Sequence, residues 1–215
     1  MDFFDVVSSQ RAVRDFSPEP VPHELVRTVL TAAGRAPSGT NAQPWRWIVL
    51  EDLAVRRSVA ELVRTKAFNT DEVERMLARA KEEADPSRRA LIASSARLFS
   101  DVAAAPLLVV ACLCDLRSPV PDMRTLLAGS SIFGAVQNLM LAARAVGLGT
   151  VLTTFHQFFE SELRELIDIP DNAVPVCIIP MGFPLNELSV EPNRRKSAES
   201  LTFWNRWDDP ARFDS

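Results

Sequence analysis

Arg35-Ala36-Pro37-Ser38-Gly39-Thr40-Asn41-Ala42-Gln43-Pro44-Trp45 is the stretch on which the fold of this chain turns. Between its two prolines lie two hydroxyls, two amides and exposed backbone, groups of the kind that read a polar heterocycle. Upstream, Leu25, Val26, Val29, Leu30 and Ala33 share one helical face, and Gly34 followed by Pro37 stops that helix. Downstream, Trp45-Arg46-Trp47-Ile48-Val49-Leu50 is rich in aromatic and β-branched residues and predicts a strand. The segment is therefore a loop at a helix-to-strand junction, a place that suits an ordinary connection as well as a binding loop.

Farther out, Leu53 to about Ala84 carries a helical and heavily charged pattern, with Asn69 three residues ahead of Glu72 as a capping box. Leu91 to Val102 continues as helix until Pro106, and Leu107 to Leu113 then reads as a buried strand. Ile132, Phe133, Val136, Leu139, Met140, Ala143 and Val146 form a wide apolar stripe on a long helix that ends at Gly147. That width fits a central core helix and equally one that also packs against a second subunit. Val174 to Gly182 is a further strand, and Pro175 and Pro180 within it predict an edge or a strand end. Helices and strands alternate through long, uneven connections with paired helices, which predicts an α+β fold rather than a doubly wound one.

Composition bounds the function. The chain has 215 residues, 47% hydrophobic and 24% charged, enough for one sizeable core, and a single domain over 1–215 is expected. A net charge of -4 with both signs interspersed gives no field to gather a nucleic acid. The start Met1-Asp2-Phe3-Phe4-Asp5 lacks the features of a secretory signal, and the longest apolar runs are too short to cross a bilayer. No membrane partner and a cytoplasmic location are expected. Cys112-x-Cys114 has neither a second pair nor suitably placed histidines, so no metal site is expected, and on a strand these thiols share a face as core residues. Gly147-x-Gly149 follows a helix rather than a strand and has Leu152 where a dinucleotide fingerprint needs a third glycine. There is no P-loop and no Gly-x-Ser-x-Gly elbow, so phosphoryl transfer and serine hydrolysis are disfavoured.

Two more polar segments flank ordered elements. In Gln10-Arg11-Ala12-Val13-Arg14-Asp15-Phe16, two arginines three residues apart offer guanidinium forks suited to phosphate, although arginine pairs are mostly solvated surface. In Pro192-Asn193-Arg194-Arg195-Lys196-Ser197, three adjacent cations repel one another unless an anion or solvent relieves them.

Taken together, these segments resemble the nitroreductase family of flavoproteins. The family's Arg-rich opening followed by Phe is similar to Gln10 through Phe16, and its Pro-Ser-x-x-Asn-x-Gln-Pro-Trp mark is matched by Pro37, Ser38, Asn41, Gln43, Pro44 and Trp45. Gly147-Leu148-Gly149-Thr150, Thr153-Thr154-Phe155, Ile169-Pro170 and Gly182-Phe183-Pro184 resemble its later signatures. Gln10 and Ala12 depart from it, replacing an arginine and a serine, which weakens side-chain contacts to a ribityl phosphate.

The resemblance implies a nitroreductase-like fold, a central, mostly antiparallel mixed sheet flanked by helices, in a domain-swapped homodimer whose C-terminal segment reaches the partner. It implies FMN as cofactor, NADH or NADPH as electron donor, and a small-molecule acceptor such as a nitroaromatic or quinone reduced in a ping-pong cycle. Arg11, Arg14 and Arg195 are expected at the phosphate, with Ala12 and Arg194 in the cofactor-binding segments. Pro37, Ser38, Gly39, Asn41 and Gln43 form the expected cofactor-binding loop, Ser38 and Asn41 coming from the other subunit. Backbone groups of Thr153, Thr154 and Phe155 are expected near the flavin. His156 is a candidate proton donor or substrate contact, although an isolated histidine is more often structural. Phe155, Phe158 and Phe159 are candidates to line the acceptor pocket, and the Leu53–Leu98 helices to cover it. Alternatives within the same fold are a reductive dehalogenase, a flavin-fragmenting enzyme, or a dimer that binds FMN without turning anything over.

Overall fold

A computed structural model describes residues 1–114, 126–192 and 195–207. The helices are α1 (Phe3–Ser9), α2 (His23–Ala33), α3 (Leu53–Leu62), α4 (Thr70–Glu82), α5 (Pro86–Ser100), α6 (Leu126–Ala145) and α7 (Glu160–Leu166). The strands are β1 (Trp45–Leu50), β2 (Leu107–Cys114), β3 (Gly149–Thr150) and β4 (Ala173–Gly182). They form one sheet in the order β1-β2-β4-β3 with every neighbouring pair antiparallel, and a single parallel bridge joins Ala12 to Thr150. The expected α+β architecture with a mostly antiparallel mixed sheet is present.

Strand β2 is buried at every position and divides the core by parity, as the period of two along a strand requires. Leu107, Val109, Ala111 and Leu113 pack with α2 and α6 on one face, against Val29, Ile132, Val136 and Leu139. Leu108, Val110, Cys112 and Cys114 pack on the other with Val59, Leu98, Phe155, Phe159 and Leu163. The two thiols do share a face. Burial pushes the Cys112 thiol up to about 11 and that of Cys177 to about 12, which keeps both protonated.

Helix boundaries follow local chemistry. Asp52 caps α3, Asp85 caps α5 ahead of Pro86, and Asn69 and Glu72 close the capping box of α4 with reciprocal bonds of 2.9 Å. The charged stretch from Leu53 is not one continuous helix. A π turn at Val63–Ala67 and the extended Phe68 separate α3 from α4, so Phe68 is turned inward against α5. On α6 the core reading holds for Ile132, Val136, Leu139 and Ala143, while Phe133 on the same helix stands 42% exposed.

The prolines of β4 mislead about its place. The strand is interior, between β2 and β3. Pro175 sits where the register against β2 slips at Ala111/Cys112, leaving Val176 as the extra residue of a bulge, a position that tolerates a missing donor. Pro180 accepts from Val151 N on the β3 side, and because N and O of one strand residue point the same way, its missing N–H costs no bond to β2.

The N-terminal segment lies along β3. Val13 N donates to Thr150 O at 2.9 Å, Ser17 N to Phe183 O at 2.8 Å and Leu185 N to Asp15 O at 3.0 Å. This approach leaves no room for a side chain at Gly149, where an added Cβ would lie 2.6 Å from Val13 Cβ. Gly149→Ala is expected to destabilise the fold by about 1–3 kcal/mol through overpacking, read from the urea midpoint. An unchanged midpoint would show that Val13 does not press on the strand.

Candidate active site

The hitched segment presents Arg11, Ala12, Arg14 and Asp15 to one cleft of about 610 Å³, whose other walls include Ser87, Ser94 and Arg97 of α5, Glu187 and Arg195. Beside it lies a second cleft of about 590 Å³, lined by Phe68, Ser95, Leu98 and Phe99 from the helical side and by Val151 to Phe155, Gln157 and Phe158 from the segment after β3. Arg14 lines both and marks where they meet. One cleft is strongly cationic, the other mostly apolar and aromatic.

Arg14 is half-buried, and among the described residues it makes no hydrogen bond and no ion pair. Burial draws its guanidinium below the ordinary arginine range, with the Asp15 charge opposing that shift. A cation held out of water without a partner is costly, which marks it as a group waiting for an anion. Arg11 is committed in part, donating from Nε to Ser9 O at 3.3 Å and from Nη2 to Glu191 O at 2.6 Å. Asp15 is gripped by Arg97 in a two-pronged pair, Nε to Oδ1 and Nη2 to Oδ2 at 2.8 Å each, and this holds its carboxyl below the usual range.

In the aromatic cleft, the Phe68 and Phe99 rings stack with centroids 3.9 Å apart and an angle of 4°. Phe158 approaches Phe68 edge-on at 6.5 Å, and Phe155 meets Phe99 the same way at 6.3 Å. Thr153 is locked in the sheet by Ile178 through its N at 3.0 Å and its Oγ1 at 2.6 Å. Thr154 and Phe155 open a short 3-10 turn, and among the described residues neither of their backbone N–H groups donates a hydrogen bond. The cleft thus pairs an apolar aromatic wall with two available donors.

The structure brings Arg11, Ala12, Arg14, Arg195, Thr153, Thr154 and Phe155 to these adjoining clefts. Arg194 lies outside the described residues. Pro37, Ser38, Gly39, Asn41 and Gln43 line neither cleft. Their loop is half-buried at Ser38 and exposed at the others, with Ser38 Oγ accepting from Gln43 N at 2.9 Å. Thr40, Asn41 and Gln43 all have positive φ, and for β-branched Thr40 that is an outlier. His156 departs from its candidate role as a proton donor: it is buried, with Nε2 3.0 Å from Pro175 O, away from both clefts. Phe159 is likewise a core residue rather than a wall.

Phe68, Ser95 and Phe99 in one cleft and Ser87, Ser94 and Arg97 in the other were not read from the sequence; all but Phe99, which follows directly, fall in the Leu53–Leu98 stretch expected to cover the acceptor pocket. Asn69 closing a capping box one residue after Phe68 was the available hint that the chain turns there. A cleft of about 570 Å³ between α3 and α7 is lined by Arg57, Glu61, Glu162 and Glu165, and its carboxylates suit neither a phosphate nor a flat ring.

The model of the nitroreductase family matches residues 7–183. The chain belongs to the nitroreductase family. It is 27% identical over 199 residues to zebrafish (Danio rerio) iodotyrosine deiodinase, a match covering 93% of this chain and 65% of that protein, so the chain spans under two thirds of that relative's length. It is 26% identical to an NADH dehydrogenase of Thermus thermophilus, over 91% of this chain and 92% of that one. Its fold is similar to that of the FMN-dependent nitroreductase NfnB from Mycobacterium smegmatis solved in complex with NADPH, with a TM-score of 0.69 at 23% identity, covering 94% of this chain and 97% of that one.

If Arg14 is held for a ligand rather than for the fold, Arg14→Gln should leave the stability of the protein without cofactor unchanged or raise it by up to ~1 kcal/mol, since function-bound charge is commonly a stability cost. Chemical unfolding checks this. A loss above that size would make Arg14 a structural residue.

Proposed function

We propose that this member of the nitroreductase family is an FMN-dependent oxidoreductase that takes electrons from NADH or NADPH and delivers them to a small, flat acceptor such as a nitroaromatic or a quinone. The observation that carries the reading is the cationic cleft adjoining the aromatic one at Arg14, a fit to a molecule with a phosphate at one end and a planar ring at the other. When bound, FMN supplies hydride chemistry, and the protein's task is to bind, orient and exclude.

Arg11, Arg14 and Arg195 hold the phosphate, each charge-assisted contact contributing about 1.5–3 kcal/mol, and Ala12 lets the chain pass close without a side-chain bond. The N–H groups of Thr154 and Phe155, without acceptors among the described residues, would be the donors offered to the ring, and Thr153 fixes their position through its bonds to Ile178. Phe68, Phe99, Phe155 and Phe158 shield the acceptor from water. Arg14 is the only charged residue among the described ones lining the aromatic cleft. Among the described residues that line it there is no carboxylate for the ammonium group of a zwitterionic amino acid such as the 3-iodo-L-tyrosine bound in a solved iodotyrosine deiodinase, which favours uncharged planar acceptors over deiodination.

The loop Pro37, Ser38, Gly39, Asn41 and Gln43 completes the site from a second copy of the chain, and the single domain over 1–215 works as a homodimer in the cytoplasm. In support, Phe3, Phe4, Phe133, Phe203, Trp204 and Trp207 all stand exposed, the last at 79%, apolar surface that a second subunit would cover. No helix among the described residues is long and apolar enough to cross a membrane.

The purified protein, reconstituted with FMN, is expected to show a flavin spectrum that NADH or NADPH bleaches without oxygen. Tight flavin that neither nicotinamide reduces would favour a non-catalytic flavin binder, and no flavin binding at all would sink the proposal. Arg195→Ala should weaken FMN roughly tenfold or more with the fold intact. A monomer by sedimentation carrying full flavin would contradict a shared site.

A further inference from the structure

The cationic cleft contains its own competitor. Asp15 follows Arg14 directly, lines the same cleft, and each of the two charges is felt by the other. The cleft's charged lining is Arg11, Arg14, Arg97 and Arg195 against Asp15 and Glu187. An Asp15 carboxylate left to itself would be the nearest anion to a half-buried guanidinium, where low dielectric strengthens the attraction, and it would repel any phosphate entering beside it.

We propose that Arg97 of α5 is a positioning residue of the cofactor site: by holding both oxygens of Asp15 it withdraws that carboxylate from Arg14 and leaves Arg14 available to an anionic ligand. The pairing is fork to fork, with both bonds at 2.8 Å, the geometry in which guanidinium and carboxylate satisfy each other most fully. Its side chains are 55% and 30% exposed, so solvent screens part of what the pair contributes to folding even in this bidentate geometry. The consequence for the cleft is that both oxygens of the Asp15 carboxylate are satisfied by Arg97 rather than by Arg14. Arg97 also ties the α4–α5 helix pair to the arginine segment 82 residues earlier, so the wall bearing Phe99 and the anion cleft are set by one contact. Gln10 and Ala12, standing where the family has an arginine and a serine, leave fewer side chains for a phosphate, so the availability of Arg14 counts for more in this chain.

The inference rests on the FMN reading above and is tested by affinity rather than activity. Quenching of FMN fluorescence gives the dissociation constant for wild type, Arg97→Ala, Asp15→Asn and the double variant, with urea unfolding beside each. Arg97→Ala is expected to weaken FMN roughly tenfold or more, the scale of one charge-assisted contact. Asp15→Asn alone should bind as wild type or tighter. The double variant should return to within about threefold of wild type, a recovery that a merely structural Arg97 cannot give because the double variant still lacks it. A double variant as weak as Arg97→Ala, or an Arg97→Ala that binds like wild type, overturns the proposal. Should Arg97→Ala fail to fold, Arg97→Gln takes its place in the same cycle with the same expectations. Failure of the wild type itself to bind FMN would overturn the functional reading as well, and is thereby separate from a failed rescue.

Discussion

The contact between Val13 and the Gly149–Thr150 strand is the constraint from which the site follows. A two-residue strand has little pairing of its own, and β3 gains its second neighbour from the N-terminal segment. Without a Cβ at Gly149 the two backbones close to hydrogen-bonding distance, and the segment then has one permitted register. That register presents Arg11 and Arg14 to the clefts while Val13 and Phe16 go into the core. The chain leaving β3 runs straight into Thr153, Thr154 and Phe155. One approach thus places both halves of the site, the cations from before it and the backbone donors from after it.

Around this frame, arginines do distinct work. Arg144 is buried and donates from Nε to Ser9 Oγ at 3.2 Å and from Nη2 to Ser189 O at 3.2 Å, close to the Arg11 bond to Glu191 O. Burial, and behind it the Arg11 charge, lowers its pKa from the ordinary arginine value. These two cations strap Ser189 and Glu191 to the body of the molecule, and Arg195 lines the anion cleft. Arg56 bonds the carbonyls of Ala103 and Ala105, holding the entry to β2. Arg14, at the meeting of the clefts, is half-buried and has neither a carboxylate nor a carbonyl among the described residues.

What was legible in the sequence was what short-range chemistry dictates. The Asn69–Glu72 box, the parity of β2 and the stop of α2 at Gly34 all follow from spacing of a few residues. The loop ending in Trp45 and the run Gly147 to Thr150 were visible because their residue types are unusual at that spacing. Contacts between distant segments were not. Nothing near Asp15 announces that Arg97 will grip it, and nothing near Phe68 announces a stack on Phe99. Pro175 and Pro180 argued for an edge because a proline's usual cost is a lost ladder bond; a bulge and a two-residue neighbour removed that cost. His156 was a candidate because it adjoins Phe155; the 3-10 turn buries it, with Nε2 3.0 Å from Pro175 O.

The loop from Pro37 to Gln43 is the one segment whose conformation the single chain does not explain. Three left-handed non-glycine residues lie within four positions, and sparsely populated backbone of this kind costs on the order of 1–3 kcal/mol each unless its surroundings enforce it. Asn41 tolerates the conformation; Thr40 does not. Within one chain the loop is held mostly by its own short-range bonds, Asn41 N to Ser38 O and Ala42 N to Gly39 O at 3.0 Å each, the Thr40 hydroxyl to Gly39 O at 2.8 Å, Gln43 Nε2 to Asn41 O at 3.4 Å and Gln43 N to the Ser38 hydroxyl at 2.9 Å; from elsewhere, Cys114 N donates to the Pro44 carbonyl at 2.9 Å where the loop enters β1. An exposed loop with so little support would relax if its shape were of no use. Its amides are exposed, while among the described residues the polar uncharged side chains lining the aromatic cleft are those of Ser95, Thr153, Thr154 and Gln157. The loop and the clefts carry complementary polar groups, and this is the physical basis of the proposal that a second copy of the chain, rather than a rearrangement of the first, joins them.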